Sequence, residues 1–215
     1  MRIRFINTGT SLSLAETTEE TDVIVFPFYE DTVSYERELK GETSFFEQVA
    51  RLSKTAGSVV VCGCLTDTKG HQRKSAAVAE NGKLLGVSDM LHAVDGACAS
   101  GAGLRVYETH VGRMGVIVAE DLHFPEIIQS LSVCGSDFLV CPFSKTESIQ
   151  TALLRAHAYC YGVPIYFCSQ GYCMIADVTG EIVFASPQEQ VGITFCPKKQ
   201  YHLVETRRRG VYKMQ

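Results

Sequence analysis

Residues 115–126 read Gly-Val-Ile-Val-Ala-Glu-Asp-Leu-His-Phe-Pro-Glu, and this stretch decides the fold. Its apolar beginning is typical of a strand buried on both faces. Two carboxylates, Glu120 and Asp121, end the apolar run, and Pro125 is suited to the first turn of a helix. The pattern predicts a strand that delivers residues 119–121 to its carboxyl end, where open α/β folds place their chemistry.

Similar signals extend outward in both directions along the chain. Apolar runs at 22–27, 59–62, 137–142 and 163–168 predict further buried strands, and helices are expected at 45–56, 125–133 and 147–161. Asn81-Gly82 predicts a tight hairpin between residues 75–80 and 83–88, and a second hairpin is expected over 174–184. Hairpins interleaved with β-α-β units indicate mixed sheets with helices outside. Because neither a repeat nor a linker interrupts the pattern, one domain is expected over residues 1–215.

Three local expectations are specific enough to be checked. Pro27 should end the strand that begins near Asp22, since proline cannot donate to a sheet ladder. Ser44 and Glu47 have the spacing of a capping box for the helix that follows. The helix at 147–161 should bury one apolar face, and its members are Ile149, Ala152, Leu153, Ala156 and Cys160.

Composition narrows the functional class. The chain has a net charge of −4 and a pI near 5.9, which argues against nucleic acid as a partner. Without an uninterrupted apolar run of about 18 residues, no membrane span is expected. Nine cysteines without a secretory signal indicate reduced thiols in a cytoplasmic protein. The close pair Cys62-Gly63-Cys64 lacks a second Cys or His pair at zinc-site spacing, so we expect neither a metal nor a cofactor.

The opening stretch resembles the nucleophile segment of the nitrilase-like carbon–nitrogen hydrolases, which reads roughly G-x-x-I-C-Y-D-x-R-F-P-E. Residues 22–27 resemble the family's D-x-V-x-F-P-E, and residues 82–92 resemble its hairpin G-x-x-x-x-x-Y-x-K-x-H-L. The segments at 155–168 and 174–184 also resemble family motifs, so the similarity covers nearly the whole chain in order. This resemblance implies an α/β fold, the four-layer α-β-β-α sandwich, and a homodimer or a pairing with an active paralogue.

The resemblance also implies a catalytic triad whose three positions are all replaced here. The family's Glu, Lys and Cys positions are Phe28, Met90 and Ala119. Phe28 cannot accept a proton, Met90 carries no charge, and Ala119 has no nucleophilic atom, although the chemistry needs all three functions. We therefore expect a pseudoenzyme that binds a small molecule or a protein partner.

Two alternatives remain open at this point. A divergent hydrolase of amide, nitrile or carbamoyl bonds would need relocated groups, such as a Cys141 nucleophile with Glu30 as its carboxylate. Strand alternation predicts that Asp89 and Glu120 point away from the pocket. The other alternative is a scaffolding subunit without a ligand.

The remaining polar residues near the predicted pocket have structural interpretations. Asp121 is expected to accept hydrogen bonds from nearby backbone or from the Arg155 helix. His92 is expected to order the end of the hairpin that precedes it. A metal site made of Glu120, Asp121 and His123 is disfavoured, because these side chains cannot all face one point on a strand end.

Overall fold

Two six-stranded sheets pack face to face in this protein. A computed structural model describes residues 1–8, 20–94 and 96–196, without the side chains of residues 29–31. The strands of the first sheet are β1 (Arg2–Ile6), β2 (Val23–Ser34), β3 (Val59–Thr68), β4 (His71–Glu80), β5 (Lys83–Asp89) and β12 (Gln190–Thr194). Their order is β12-β1-β2-β3-β4-β5, with β1, β2 and β3 parallel and the other pairings antiparallel.

The second sheet repeats this mixed arrangement. Its strands are β6 (Val106–Thr109), β7 (Gly112–Val116), β8 (Phe138–Lys145), β9 (Ile165–Gln170), β10 (Tyr172–Ala176) and β11 (Ile182–Ser186). They lie in the order β11-β10-β9-β8-β7-β6, with β7, β8 and β9 parallel. The hairpin predicted at Asn81-Gly82 is confirmed: both residues have positive φ, as a two-residue turn of this kind requires.

Helices cover the outer face of each sheet, so the four-layer sandwich expected from the sequence is confirmed. The described helices are α1 (Tyr35–Leu39), α2 (Phe45–Ala56), α3 (Pro125–Val133) and α4 (Ser148–Tyr161). Val49 and Leu52 of α2 pack on the first sheet, and Ile128 of α3 and Leu154 of α4 pack on the second. None of these helices is long and apolar enough to cross a membrane.

The apolar residues buried between the two sheets form what we call the inner cluster. Its members from the first sheet include Val23, Val25, Val59, Val61, Ala76 and Val78, and its members from the second include Met114, Val116, Val140, Tyr166 and Ile175. Each large apolar side chain that is fully buried in this way contributes about 1.5–3 kcal/mol to stability. The inner cluster is therefore the principal contact between the sheets.

Pro27 does not end its strand, contrary to the sequence expectation. The pairing of β2 with β3 shifts register between Phe26 and Phe28, so Pro27 lies at an irregularity where its missing N–H is not needed. The strand then continues to Ser34.

The predicted capping box of α2 is also wrong. The Ser44 side chain makes no capping hydrogen bond. Instead, the Glu38 carboxylate accepts hydrogen bonds from the backbone N–H groups of Phe45 and Phe46, at 3.0 and 3.1 Å. A residue of the preceding helix, α1, thus satisfies the N-terminus of α2.

Most of the apolar face predicted for α4 points outward instead of inward, although Leu153 is partly buried against the second sheet. Its buried residues are Gln150, Leu154, His157 and Ala158, whereas Ile149 is half exposed and Ala152, Ala156 and Cys160 are exposed. The two polar residues on the buried face are satisfied: Gln150 Oε1 accepts from the Glu147 N–H at 2.7 Å, and His157 Nε2 lies 3.0 Å from the Leu122 carbonyl oxygen. Periodicity alone could not choose between two faces that both carry apolar residues.

Candidate functional site

The three positions that the sequence resemblance assigned to the family's triad all belong to the inner cluster. They are Phe28, Met90 and Ala119, with exposed fractions of 5%, 1% and 0%. We call these three residues the apolar floor. Because solvent does not reach Ala119, a substrate-sized molecule has no access to it in this conformation.

The register shift at Pro27 places Phe28 in the floor. Val23 and Val25 face the inner cluster, while Ile24 and Phe26 face the helices. Strict alternation would put Phe28 on the helix side with Phe26. The irregularity at Pro27 changes the phase, and Gly63 on β3 leaves room for the ring, since a Cβ there would lie 2.9 Å from Phe28 Cδ2.

Ala119 enters the floor through an unusual backbone conformation. Its φ is 50°, in the left-handed region that non-glycine residues rarely adopt. Val118 and Ala119 consequently both contact the inner cluster, although they are consecutive residues. Backbone strain of this kind concentrates at functional sites. The turn directs the side chain of residue 119 into the inner cluster, but that side chain is only a methyl group.

Met90 is fixed at the end of β5 by its backbone. Its N–H donates to the Lys74 carbonyl at 2.8 Å, and its own carbonyl accepts from the Gly101 N–H at 2.8 Å. Alternation along β5 turns Met90 inward and Asp89 outward. Asp89 accepts a hydrogen bond from Ser75 Oγ at 2.7 Å on the helix-facing side, as the sequence predicted for its direction.

Asp121 joins the Met90 segment to the turn at Ala119. Its carboxylate is 1% exposed and accepts from the backbone N–H groups of Leu91 and His92, at 2.8 and 3.0 Å. His92 Nδ1 lies 3.1 Å from the same carboxylate, and its ring stacks on Phe124 with centroids 3.9 Å apart. The backbone role expected for Asp121 is present, whereas Arg155 bonds elsewhere, to the Gly180 carbonyl at 2.8 Å.

Glu120 does not point away from the site, contrary to the sequence expectation. Its Oε1 lies 2.6 Å from Lys74 Nζ, and the two side chains are 27% and 18% exposed. Residues 119–123 form a short 3-10 helix, so strand alternation does not apply to them. The second oxygen, Glu120 Oε2, is buried and accepts no hydrogen bond within the described part of the chain.

The family is identified by a match that spans most of the sequence. Residues 7–197 match the family model for carbon-nitrogen hydrolases. The chain belongs to the carbon–nitrogen hydrolase family. A probable nitrilase of Schizosaccharomyces pombe is 24% identical over 208 residues, covering 83% of this chain and 75% of that one.

Solved structures of the nitrilase superfamily share the fold. Saccharomyces cerevisiae Nit3 superposes with a TM-score of 0.74 at 15% identity, covering 100% of this chain and 95% of that one. A carbon–nitrogen hydrolase superfamily protein of Xanthomonas campestris gives a TM-score of 0.76 at 16% identity, with coverages of 91% and 90%. At these identities the similarity establishes the architecture of a carbon–nitrogen hydrolase.

The other ionisable groups of the inner cluster are poor substitutes for a family nucleophile. The cluster contains two thiols and two phenols, on Cys168, Cys173, Tyr107 and Tyr166. Burial raises the pKa of all four groups, and that of Cys173 reaches about 11. Their reactive anionic forms are therefore disfavoured near neutral pH.

Cys141 lies on the opposite face of the second sheet from the apolar floor. It is fully buried beneath α3 and α4 in the outer cluster that also contains Ile128 and Leu154. Burial raises the pKa of the Cys141 thiol well above its ordinary value, and the nearby carboxylates of Asp121 and Glu120 raise it further. The side chain of Glu30, its predicted carboxylate partner, lies outside the described residues.

The residues considered for a metal site do not come together as ligands. Asp121 is committed to Leu91 and His92, whereas His123 is exposed and its ring contacts Phe143 edge-on, with centroids 6.3 Å apart. Within residues 1–8, 20–94 and 96–196, no group of three His, Cys, Asp or Glu side chains is arranged to hold a metal.

Sequence reasoning missed Lys74, although a signal for it was present. Ala76 and Val78 face the inner cluster, so alternation along β4 turns Lys74 to the same side. A lysine on the inward face of a buried strand needs a carboxylate partner. That requirement would have drawn attention to Glu120.

Proposed function

We propose that this chain is a non-catalytic member of the carbon–nitrogen hydrolase family that acts by binding. The observation that carries the proposal is the composition and closure of the floor. Phe28, Met90 and Ala119 share one buried apolar cluster, in which neither a carboxylate, an ammonium group nor a thiolate stands at the triad positions. Hydrolysis of a C–N bond by the covalent mechanism of the family requires those functions.

The three replacements are physically consistent with one another. An isolated charge in this cluster would cost several kcal/mol, because apolar neighbours cannot replace the hydration that the charge loses. With all three positions apolar, the space is filled by packing instead. The site thereby contributes to stability where an active enzyme would carry buried charges.

The alternative of a hydrolase with relocated groups has less support. A catalytic cysteine must be accessible and partly ionised, whereas Cys141 is fully buried and has a raised pKa. Its position on the helix-facing side of β8 also separates it from the floor.

The binding partner that the surface supports best is a second copy of the chain. The outward face of α4 presents Ile149, Ala152, Ala156 and Cys160 at helical spacing. The alanines allow a second helix to approach closely, and a two-fold axis would bring the same stripe from both subunits together. An active paralogue with a similar helix could take the place of the second copy.

The test of the proposal is a turnover assay on the purified chain. We expect ammonia release no faster than the blank with an aliphatic nitrile, an aliphatic amide and an N-carbamoyl amino acid, while an active family member run in parallel releases it. Turnover that disappears on a single substitution, such as Cys141→Ala, would overturn the proposal and restore the hydrolase interpretation.

A further inference from the structure

The ion pair between Lys74 and Glu120 connects the two sheets beside the apolar floor. Lys74 belongs to β4 of the first sheet, and Glu120 lies in the 3-10 helix that follows β7 of the second. Each of the two residues is a direct neighbour of one residue of the apolar floor. The Lys74 carbonyl accepts the N–H of Met90 at 2.8 Å, and Glu120 directly follows Ala119.

The pair is more exposed to solvent than the floor beside it. Alternation places Lys74 on the same side of β4 as Ala76, two residues nearer to the start of the strand at His71. Its side chain is 18% exposed and that of Glu120 is 27% exposed, whereas the floor residues are at most 5% exposed. The pair therefore joins β4 to the turn that carries Ala119, beside a floor that solvent does not reach.

The pair differs from the other lysine–carboxylate pair of the described chain. Lys40 and Glu36 are one helical turn apart on α1, and their side chains are 58% and 66% exposed. Such a pair contributes little, because solvent screens it. Lys74 and Glu120 are 46 residues apart and mostly shielded, so their interaction depends on the sheets keeping their relative position.

We infer that Lys74 and Glu120 form a latch that holds the two sheets closed over the apolar floor. Separation of the latch is the step that admits small apolar molecules to Phe28, Met90 and Ala119. The inference rests on the proposed function, since a closed floor suits a protein that binds without turnover. It adds a controlled route of access to that site.

A thiol placed on the floor reports whether the latch is closed. The variant Ala119→Cys carries the thiol, and its alkylation by iodoacetamide is followed by fragment mass spectrometry, which resolves it from the nine native cysteines. Lys74→Met and Glu120→Gln are then added separately to this variant. Lys40→Met, which removes the exposed pair, is the matched control.

We expect alkylation at position 119 to rise at least about tenfold when either latch residue is changed, since labelling follows the population of the open state. The Lys40→Met control should leave the rate unchanged. Equal rates with and without the latch would overturn the inference, and so would an equal rise in the control.

A second measurement tests the latch if Lys74→Met fails to fold. Glu120→Gln changes the charge but hardly the shape. Hydrogen exchange of the Leu91 amide, which donates to Asp121 Oδ2 on the turn after β7 at 2.8 Å, should accelerate in this variant without any reporter thiol. Unchanged exchange would overturn the latch while leaving the absence of turnover untouched. Conversely, turnover by the unchanged chain would overturn the proposed function and leave the labelling result as it stands.

Discussion

The carboxylate of Asp121 fixes the backbone of His92: its Oδ1 accepts the His92 N–H at 3.0 Å while Oδ2 accepts the preceding N–H, of Leu91, at 2.8 Å. Asp121→Asn would turn an amide N–H₂ toward one of these donors. We expect a loss of about 2–3 kcal/mol in the free energy of unfolding, because charge-assisted hydrogen bonds are lost in a buried place. Urea unfolding measures this loss of stability. Asp67→Asn, at a partly exposed turn carboxylate that accepts one backbone N–H, should change stability by less than about 0.5 kcal/mol.

Convergence of the floor can be measured as a coupling energy. Phe28→Glu and Met90→Lys should each cost about 3–5 kcal/mol, because each buries an unpaired charge. Together they should cost less than the sum by at least about 1 kcal/mol, since the two charges would face each other. If a single variant does not fold, regained cooperative unfolding in the double variant shows the same coupling. In the control, Met90→Lys is combined with Val60→Glu on the opposite face of the sheet, and their changes in the free energy of unfolding should add. Additive changes for Phe28→Glu and Met90→Lys would contradict the placement of these two residues in one site.

The thiol of Cys141 should be inert in the folded protein. Burial and two nearby carboxylates raise its pKa, and no surface is available to a reagent. Site-resolved alkylation should modify the exposed Cys134 while Cys141 reacts only on unfolding. Labelling of Cys141 at the rate of Cys134 would show instead that the thiol is exposed and ionised.

His157 should make the protein sensitive to acid. Burial lowers its pKa below the ordinary value of about 6.5. As pH falls from about 7 to 5, the unfolded chain takes up a proton that the folded chain resists, so stability decreases over this window. His157→Gln keeps a donor for the Leu122 carbonyl but does not titrate. Its thermal midpoint should fall less over that range than that of the unchanged chain, whereas His71→Gln, at an exposed site, should behave like the unchanged chain.

The outward stripe of α4 should control oligomeric state. Ala156→Glu places a charge in the middle of the proposed interface, so we expect monomers by light scattering where the unchanged chain forms dimers. Leu39→Glu is a matched control, because Leu39 is 89% exposed on α1 at the opposite side of the sandwich. A dimer that survives Ala156→Glu would place the interface elsewhere.

The sequence predicted the ends of the helices well where the conformational preference of a single residue sets them. The helix over Pro125–Val133 has the expected bounds because proline suits its first turn. Gly57 and Gly162 end α2 and α4 in the left-handed conformation expected of such helix ends. By contrast, the short strand β12 was missed, since Gly192 and polar residues dilute its pattern and its partner β1 lies at the other end of the chain.

The site was only partly predictable, because two local irregularities of the backbone determine which way its side chains point. Phe28 and Ala119 both belong to the inner cluster, whereas simple strand alternation would have placed each of them on the helix-facing side. The direction of Glu120 depends on the 3-10 helix, and that of Phe28 on the shift at Pro27. The face that α4 buries depends in part on the Leu122 carbonyl that His157 contacts, which is 35 residues away in the sequence.

The left-handed turn at Ala119 has a consequence for recognising proteins of this kind. An alanine in that conformation costs about 1–2 kcal/mol, yet the residue has no chemistry to offer in return. The neighbouring framework, including the Asp121 N–H that donates to the Val118 carbonyl at 3.1 Å, holds the turn regardless of the side chain. Searches keyed to a catalytic cysteine would pass over this chain. The left-handed φ of Ala119 would still mark the position.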